Sequence, residues 1–341
     1  MIPSLTPLVS VITPVYNGAE YLAECIESVL AQTYPNWDHT IVDNCSTDGS
    51  LEIARGYAQK DQRIRICENE KFLRVNANHN RAFRQISPDS KYCKVVFADD
   101  WIFPECLERM VGIAEECPSA GIVGAYVLEG QYVACAGLPY KSKLFSGREI
   151  CRERFLRGLH VFGPANNVLF RADLVRSRDP FYNESNLHAD IESCIALLRA
   201  CDFGFVHQVL TFTRERPGSL TAMSKDMHTI MAGKLHDLVM YGRDFLSQEE
   251  LEACLERDLS DYYATLVGGL VRFQGKRFWD YHKRKLTEAG VGFSRLRLAR
   301  VALKKVCLAL INPLGSIQKV RQVANEFGGT TRPAVSSKEM R

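Results

Sequence analysis

The 341-residue sequence lacks any uncharged apolar stretch of the roughly 18 to 20 residues that a bilayer-crossing helix needs. A membrane-spanning protein is therefore not expected. It has no CxxC pair, and its 12 cysteines form no close Cys/His cluster with metal spacing. A zinc module or a disulfide scaffold is thereby disfavoured. Cys93, Cys194, Cys201 and Cys307 lie inside apolar runs, where a free thiol acts as a small hydrophobe, and a reduced cytoplasmic protein is expected. Met1 to Tyr16 has no charged leader, so no signal peptide is expected. No GxGxxG follows the first apolar run and no GxxxxGK[ST] occurs, which removes the main support for dinucleotide-dehydrogenase and P-loop classes. No internal repeat is found.

What is present is an ordinary globular composition, 46% hydrophobic and 24% charged, in a length suited to two domains or one α/β domain with an extension. The net charge of +3 hides two unlike parts. Residues 1–221 carry 23 Lys and Arg against 27 Asp and Glu, whereas from Val271 onward the ratio is 16 to 4. An acidic body with a basic C-terminal segment suggests separate tasks.

Along the acidic part, short apolar runs alternate with amphipathic stretches. Val9 to Thr13, Thr40 to Val42, Ile64 to Ile66 and Cys93 to Ala98 read as strands. Glu20 to Gln32, Ser50 to Gln59, Asn76 to Ile86 and Pro104 to Cys117 read as helices, with a turn and cap signal at Ser46 to Gly49. This alternation predicts an α/β fold with a doubly wound, mostly parallel, Rossmann-like sheet. After Gly121 the pattern loosens into hairpins and short helices, and from Lys225 onward it is helical. Three domains are expected: 1–221 catalytic, 222–327 helical and basic, and 328–341 a polar tail.

Ligands of such sheets bind beyond the carboxyl ends of the strands. Those ends carry Thr13-Pro14-Val15-Tyr16-Asn17, then Asp43-Asn44-Cys45-Ser46-Thr47-Asp48-Gly49, then Asp99-Asp100. An aromatic, a carboxylate and a carboxylate pair thus converge on one rim. Singly, each also reads as a turn or a cap. Two adjacent carboxylates after an apolar strand repel and call for a cation, and a divalent ion shared with substrate phosphates fits.

These residues resemble the motifs of glycosyltransferase family 2. They run in order as Val9 to Asn17, Ser28-Val-Leu-Ala-Gln-Thr33, Ile41 to Gly49 and Ala98-Asp-Asp-Trp101. The resemblance covers about 1–220 and implies the GT-A fold and inverting transfer of a sugar from a nucleotide-diphosphate donor, with Mg²⁺ or Mn²⁺. It implies that Thr13, Pro14 and Tyr16 line the nucleoside, that Asp43 binds the base, and that Asn80 belongs to the nucleotide site. Asp99, with Asp100 beside it, would hold the metal. Gly163 to Arg171, with Asn166 and Asn167, resembles the loop facing the sugar, and Trp101 joins these sugar or acceptor candidates. His188-Ala-Asp-Ile-Glu192 resembles the helix start whose Asp is the general base, here Asp190, with His188 and Glu192 as further acceptor-side candidates. A carboxylate in a first helical turn is held by the helix dipole, which should lower its pKa slightly. Two departures stand out. Phe97 replaces the first Asp of the common DxDD, and His79 replaces an Arg, so a cation at the diphosphate depends on protonated His79 or on Arg214 or Arg216.

Ser294 to Ile311 reads as a basic amphipathic helix, with Leu296, Ala299, Leu303, Val306 and Leu310 on one face. It suits either packing on the catalytic domain or an anionic membrane surface. No motif for reading nucleic acid accompanies the charge, and no nucleic-acid partner is expected. The expected function is transfer to a glycan or lipid-linked acceptor in bacterial surface polysaccharide synthesis, in the cytoplasm or at the inner face of the membrane. A nucleotidyltransferase making an activated sugar and a non-catalytic nucleotide-sugar binding protein are the competing readings.

Overall fold

The computed structural model describes residues 6–311, with side chains to residue 308. The elements alternate as β1 (Val9–Val15), α1 (Leu22–Leu30), β2 (Trp37–Asp43), α2 (Ser50–Ala58), β3 (Ile64–Glu68), α3 (Val75–Phe83), β4 (Tyr92–Val95), β5 (Trp101–Ile102) and α4 (Cys106–Glu116). There follow β6 (Ala120–Glu129), β7 (Tyr132–Ala134), β8 (Leu144–Phe145), α5 (Gly147–Arg157), a 3-10 turn (Ala165–Asn167), β9 (Val168–Arg171), α6 (Ala172–Arg176), α7 (Ala189–Leu197) and β10 (Asp202–Thr213). Helices α8 (Leu220–Met227), α9 (Thr229–Phe245), α10 (Gln248–Val271), α11 (Lys276–Glu288) and α12 (Arg295–Ile311) complete the described chain.

The first strand shows why the sheet is central. Every residue of β1 is buried, as expected of a parallel strand covered on both faces. Its side chains alternate between two cores. Val9, Val11 and Val15 pack with Leu22, Ile26 and Leu107, while Ile12 packs with Phe83, Phe170 and Ile195. The sheet order is β3-β2-β1-β4-β9-β6-β10-β5, with β7 paired to β6 and β8 to β10. Strands β1 to β4 are mutually parallel, β10 runs parallel to β6, and β9 opposes both its neighbours.

Register then builds the rim. Val15 lies beside Asp43, Asp43 beside Glu68, and Ile12 beside Val95. The ends of β1, β2 and β4 therefore deliver their loops to one edge. Because β9 is antiparallel, with Leu169 opposite Lys94, it is the start of β9 that reaches this edge. That brings the 3-10 turn to the carboxylate pair.

The described residues fall into two compact units dividing between Glu256 and Arg257. This differs from the expected limit at residue 221: α8, α9 and the first turns of α10 belong with the sheet. Apolar contacts explain this, since Leu238, Phe245, Leu246 and Leu251 join the core that holds Phe155 and Ile195. The tail expected at 328–341 lies outside the described residues.

In the second unit, Tyr262, Tyr263 and Leu266 of α10 are buried, as are Phe278, His282 and Leu286 of α11, and the Tyr262 hydroxyl meets His282 Nδ1 at 2.8 Å. Helix α12 is tied to α10 by Lys305 Nζ, which donates to the Ala264 carbonyl at 2.7 Å. Of the apolar face read in the sequence, Leu296, Ala299, Leu303 and Val306 are exposed. Among the described residues, no helix is long and apolar enough to cross a membrane.

Candidate active site

Two loops at the rim are sewn together by short polar side chains. The Asn17 and Gly18 amides donate to Ser46 Oγ (3.0 Å) and Ser50 Oγ (2.9 Å), and Ala19 N donates to Asp48 Oδ2 (2.9 Å). Thr47 N donates back to Asn17 Oδ1 at 2.8 Å. Gly18 is required here, because a Cβ would stand 2.9 Å from Val15 Cγ2. Asp48, which the sequence allowed as a cap, also accepts from Ser50 N and Oγ (3.1 and 2.6 Å). It is the clasp of the loop pair.

Within this frame Asp43 is buried and accepts from Ser46 N at 3.1 Å through Oδ2, while Oδ1 has no hydrogen-bond partner. A buried acceptor left open is costly and needs a donor from outside. Tyr16 is exposed, edge-on to exposed Phe72 with centroids 4.8 Å apart. Thr13 departs from its expected place at the nucleoside. It is fully buried, and its hydroxyl meets His39 Nε2 at 2.8 Å inside the sheet. Pro14 is also buried. Asn80 is likewise internal, joining the Tyr182 amide (2.7 Å), the Tyr182 carbonyl (2.9 Å) and Glu184 (3.1 Å). Neither Thr13 nor Asn80 presents a free polar group to a nucleotide.

The paired carboxylates divide their tasks. Asp100 is 3% exposed and accepts from Asn166 Nδ2 (2.7 Å) and the Arg214 amide (2.9 Å), one bond to each oxygen. Burial and then the neighbouring Asp99 charge push its carboxyl up to about 8. Asp100 is thus held as a strut by the chain's own donors. Asp99 stands nearer solvent, and its Oδ2 accepts from Arg216 Nε at 2.8 Å. The cation that the pair demands is this guanidinium. Arg214 is occupied elsewhere. Its guanidinium donates to the Asp99 carbonyl (3.0 Å), pairs with Glu24 and lies 4.4 Å from the Tyr21 ring. Glu215, the sequence-adjacent partner for an arginine, pairs with Lys225 instead.

His79 is held toward its neutral form by its surroundings. Its Nδ1 contacts the Val75 carbonyl at 2.7 Å, and burial lowers its pKa. Its ring meets Phe97 edge-on at 5.4 Å, so the two departures from the family pattern touch each other. On its other side lies Tyr182, with centroids 5.8 Å apart.

Tyr182 leads to the second carboxylate set. Asp190 is half-buried in the first turn of α7, and burial raises its pKa, with His188 and local backbone amides opposing. The slight lowering expected from the helix dipole is therefore outweighed by desolvation. Glu192 faces inward and is fully engaged, by Asn186 Nδ2 (2.8 Å), Asn183 Nδ2 (3.2 Å), the Tyr241 hydroxyl (3.1 Å) and His236 Nε2 (3.1 Å). Burial would raise its pKa, but these bonds prevail and bring it down to about 2. It is not available to an acceptor. His188 Nε2 meets Thr229 Oγ1 at 3.0 Å. Asn166 and Asn167 are both buried, Asn167 contacting Cys135 Sγ (3.3 Å) and Thr211 (3.4 Å). Trp101 stacks on Phe212 at 4.9 Å. Asn166 and Asn167 support the rim from within, and half-buried Trp101 stands beside them.

Lys94 had no place in the sequence reading. It is fully buried and its Nζ donates to the carbonyls of Asn166 and Val168, the latter at 3.3 Å. A single Lys inside the apolar run Tyr92 to Ala98 was the available signal. Asn44 and Asn69 were missed too: Asn44 Oδ1 accepts from the Leu73 amide and Asn69 Nδ2, both at 2.9 Å, fixing the loop that bears Phe72.

A family model described as glycosyl transferase family 2 matches residues 10–176, which contain this rim from Tyr16 to the 3-10 turn. Over residues 10–176, just under half of the chain, the sequence is similar to glycosyl transferase family 2. A Bacillus subtilis relative, provisionally named the teichuronic acid biosynthesis glycosyltransferase TuaG, is 34% identical over 125 residues, 37% of this chain and 49% of its own length. The chain thus spans about half the length of such curated relatives. Beyond these residues the likeness is one of fold: the S. aureus TarS structure solved with UDP-GlcNAc aligns at TM-score 0.62, 18% identity and 87% coverage of both chains. A mannosyltransferase from Pyrobaculum calidifontis, solved with GDP-Man and Mn²⁺, aligns at TM-score 0.56 and 16% identity over 93% of this chain and 84% of its own. The fold is of the GT-A type, as expected.

Proposed function

We propose that the protein is an inverting glycosyltransferase of bacterial surface polysaccharide synthesis, using a nucleotide-diphosphate sugar and a hydroxyl of a glycan or lipid-linked acceptor. The observation that carries this reading is the rim itself, where the open oxygen of Asp43, the exposed ring of Tyr16 and the solvent-side carboxylate of Asp99 converge. Asp43 accepts a hydrogen bond from the base and Tyr16 covers it.

The donor set fits a hard divalent ion that keeps most of its shell from elsewhere. Asp99 is the carboxylate at the rim, and among the described residues no group of three His, Cys, Asp or Glu side chains could hold an ion alone. Diphosphate oxygens and water would complete the coordination, as suits Mg²⁺ or Mn²⁺. The bound ion would neutralise charge on the leaving diphosphate. Arg216, once released from Asp99, contributes its positive charge to the same group. Asp190 accepts the proton of the acceptor hydroxyl as that oxygen bonds to the anomeric carbon. The bond from that carbon to the diphosphate breaks with its electron pair leaving on the diphosphate, so one displacement inverts the centre.

A location at the inner face of the membrane accords with the basic second unit, and a role in surface polysaccharide synthesis with TuaG's naming for teichuronic acid biosynthesis. The test is a panel of nucleotide sugars assayed for hydrolysis and transfer with Mg²⁺ or Mn²⁺. Asp190→Asn is expected to lower turnover on the order of 10²- to 10⁴-fold while donor binding persists. Donor binding without turnover by the wild type, across the panel and with acceptor glycans added, would instead favour a non-catalytic binding protein.

A further inference from the structure

The turn joining α10 to α11 is built against two local preferences. Arg272 N and Gln274 N donate to the carbonyls of Gly268 (3.0 Å) and Gly269 (2.9 Å), and Phe273 N donates to that of Leu270 (3.1 Å). This is the Schellman ending of a helix, whose left-handed residue is usually glycine. Here that residue is Phe273, at φ 52°. Phe273 is also 93% exposed, with Val271 73% and Leu270 46% exposed beside it. The turn is held in shape, since Trp279 Nε1 donates to the Gln274 carbonyl at 3.1 Å. Arg272, Lys276 and Arg277 surround the tip and are exposed.

We propose that this turn is a membrane-inserting tip, placing Phe273, Val271 and Leu270 among the acyl chains of an anionic bilayer while Arg272, Lys276 and Arg277 meet its headgroups. The proposal rests on the peripheral location argued above and deepens it by naming the inserted element. Three features favour lipid over a protein partner. The tip is a single turn with three apolar side chains, far short of the roughly 800 Å² per partner of a stable protein interface. Cations predominate among its charged neighbours, with Arg272, Lys276 and Arg277 against Asp280, in a segment with 16 Lys and Arg against 4 Asp and Glu. An apolar wedge ringed by cations matches the interfacial layer of an anionic leaflet.

Phe273→Gly makes a discriminating test, because the fold favours glycine at this φ whereas a bilayer loses an aromatic ring. Full-length wild type and variant are sedimented with vesicles of phosphatidylcholine plus phosphatidylglycerol, and with phosphatidylcholine alone, at low and high salt. Wild type should bind the anionic vesicles at low salt. The variant should melt no lower than wild type and bind on the order of tenfold more weakly. Failure of wild type to bind would sink the peripheral location itself. Equal binding by Phe273→Gly would overturn the tip while leaving that location intact. If the variant lost self-association in sedimentation velocity but kept vesicle binding, the tip would be a contact between copies and the proposal wrong.

Discussion

At the scale of single residues, the site is organised by which charges are compensated from within. Asp100 has both oxygens satisfied by the chain, whereas Asp99 is compensated by a long, half-exposed arginine that can leave. An exposed pair of this kind is weak, with typical contributions of about 0 to 1 kcal/mol, so exchange for a divalent ion is cheap. Arg216→Ala is expected to raise the donor KM about tenfold, through loss of one charge-assisted contact. It should also tighten Mn²⁺ binding measured by electron paramagnetic resonance without donor, because Asp99 no longer has a competing cation. Unchanged donor affinity and turnover would rule out the assignment of Arg216 to the diphosphate. Asp190 supplies a pH signature. Its carboxyl is held above the usual range by burial, and only its ionised form accepts a proton. The rate should therefore rise with pH through that raised value, and Asp190→Asn should abolish this limb in kcat/KM profiles. A limb that survives in the variant would place the base elsewhere.

At the scale of elements, two internal ties set the active edge. Lys94 on β4 holds the Asn166 carbonyl of the 3-10 turn and the Val168 carbonyl of β9, and the Asn166 side chain then holds Asp100. Burial lowers the pKa of Lys94, and its bonds to carbonyls rather than carboxylates leave it the strand's internal donor. The second tie is Glu192, through which α7 grips α9 and the loop at 183–186. Its folded pKa of about 2 lies below the ordinary glutamate value. The stabilisation it confers is therefore present above that ordinary value and lost as pH falls toward 2. Glu192→Gln should cost on the order of 2 kcal/mol at neutral pH, since a buried charge-assisted network loses its charge. The difference from wild type in urea unfolding should shrink as the solution is acidified. A gap independent of pH would show that packing, rather than ionisation, is what Glu192 contributes.

At the scale of the molecule, the strands and helices of the first 120 residues were legible because period and burial agree there. Apolar runs such as Val9 to Thr13 became fully buried strands, and Cys25, Ile26 and Val29 became the buried stripe of α1. The rim motifs were legible as chemistry, with Asp43, Tyr16, Asp99 and Asp190 all at strand or helix ends. Direction was not. Nothing local in Thr13 says that its hydroxyl turns inward to His39, or in Asp100 that its oxygens turn toward Asn166, because those partners are 26 and 66 residues away. The exposed apolar stripe of α12 was equally hidden, since periodicity defines a face but not what covers it. The Phe97–His79 contact carries this point furthest. Two departures from the family pattern, read apart, look like two losses of charge. In contact they form one half-buried aromatic unit. Restoring the family's aspartate at Phe97 or arginine at His79 alone would exchange that ring contact for an ion set against the remaining ring, so the two substitutions are expected to be non-additive in a double-mutant cycle.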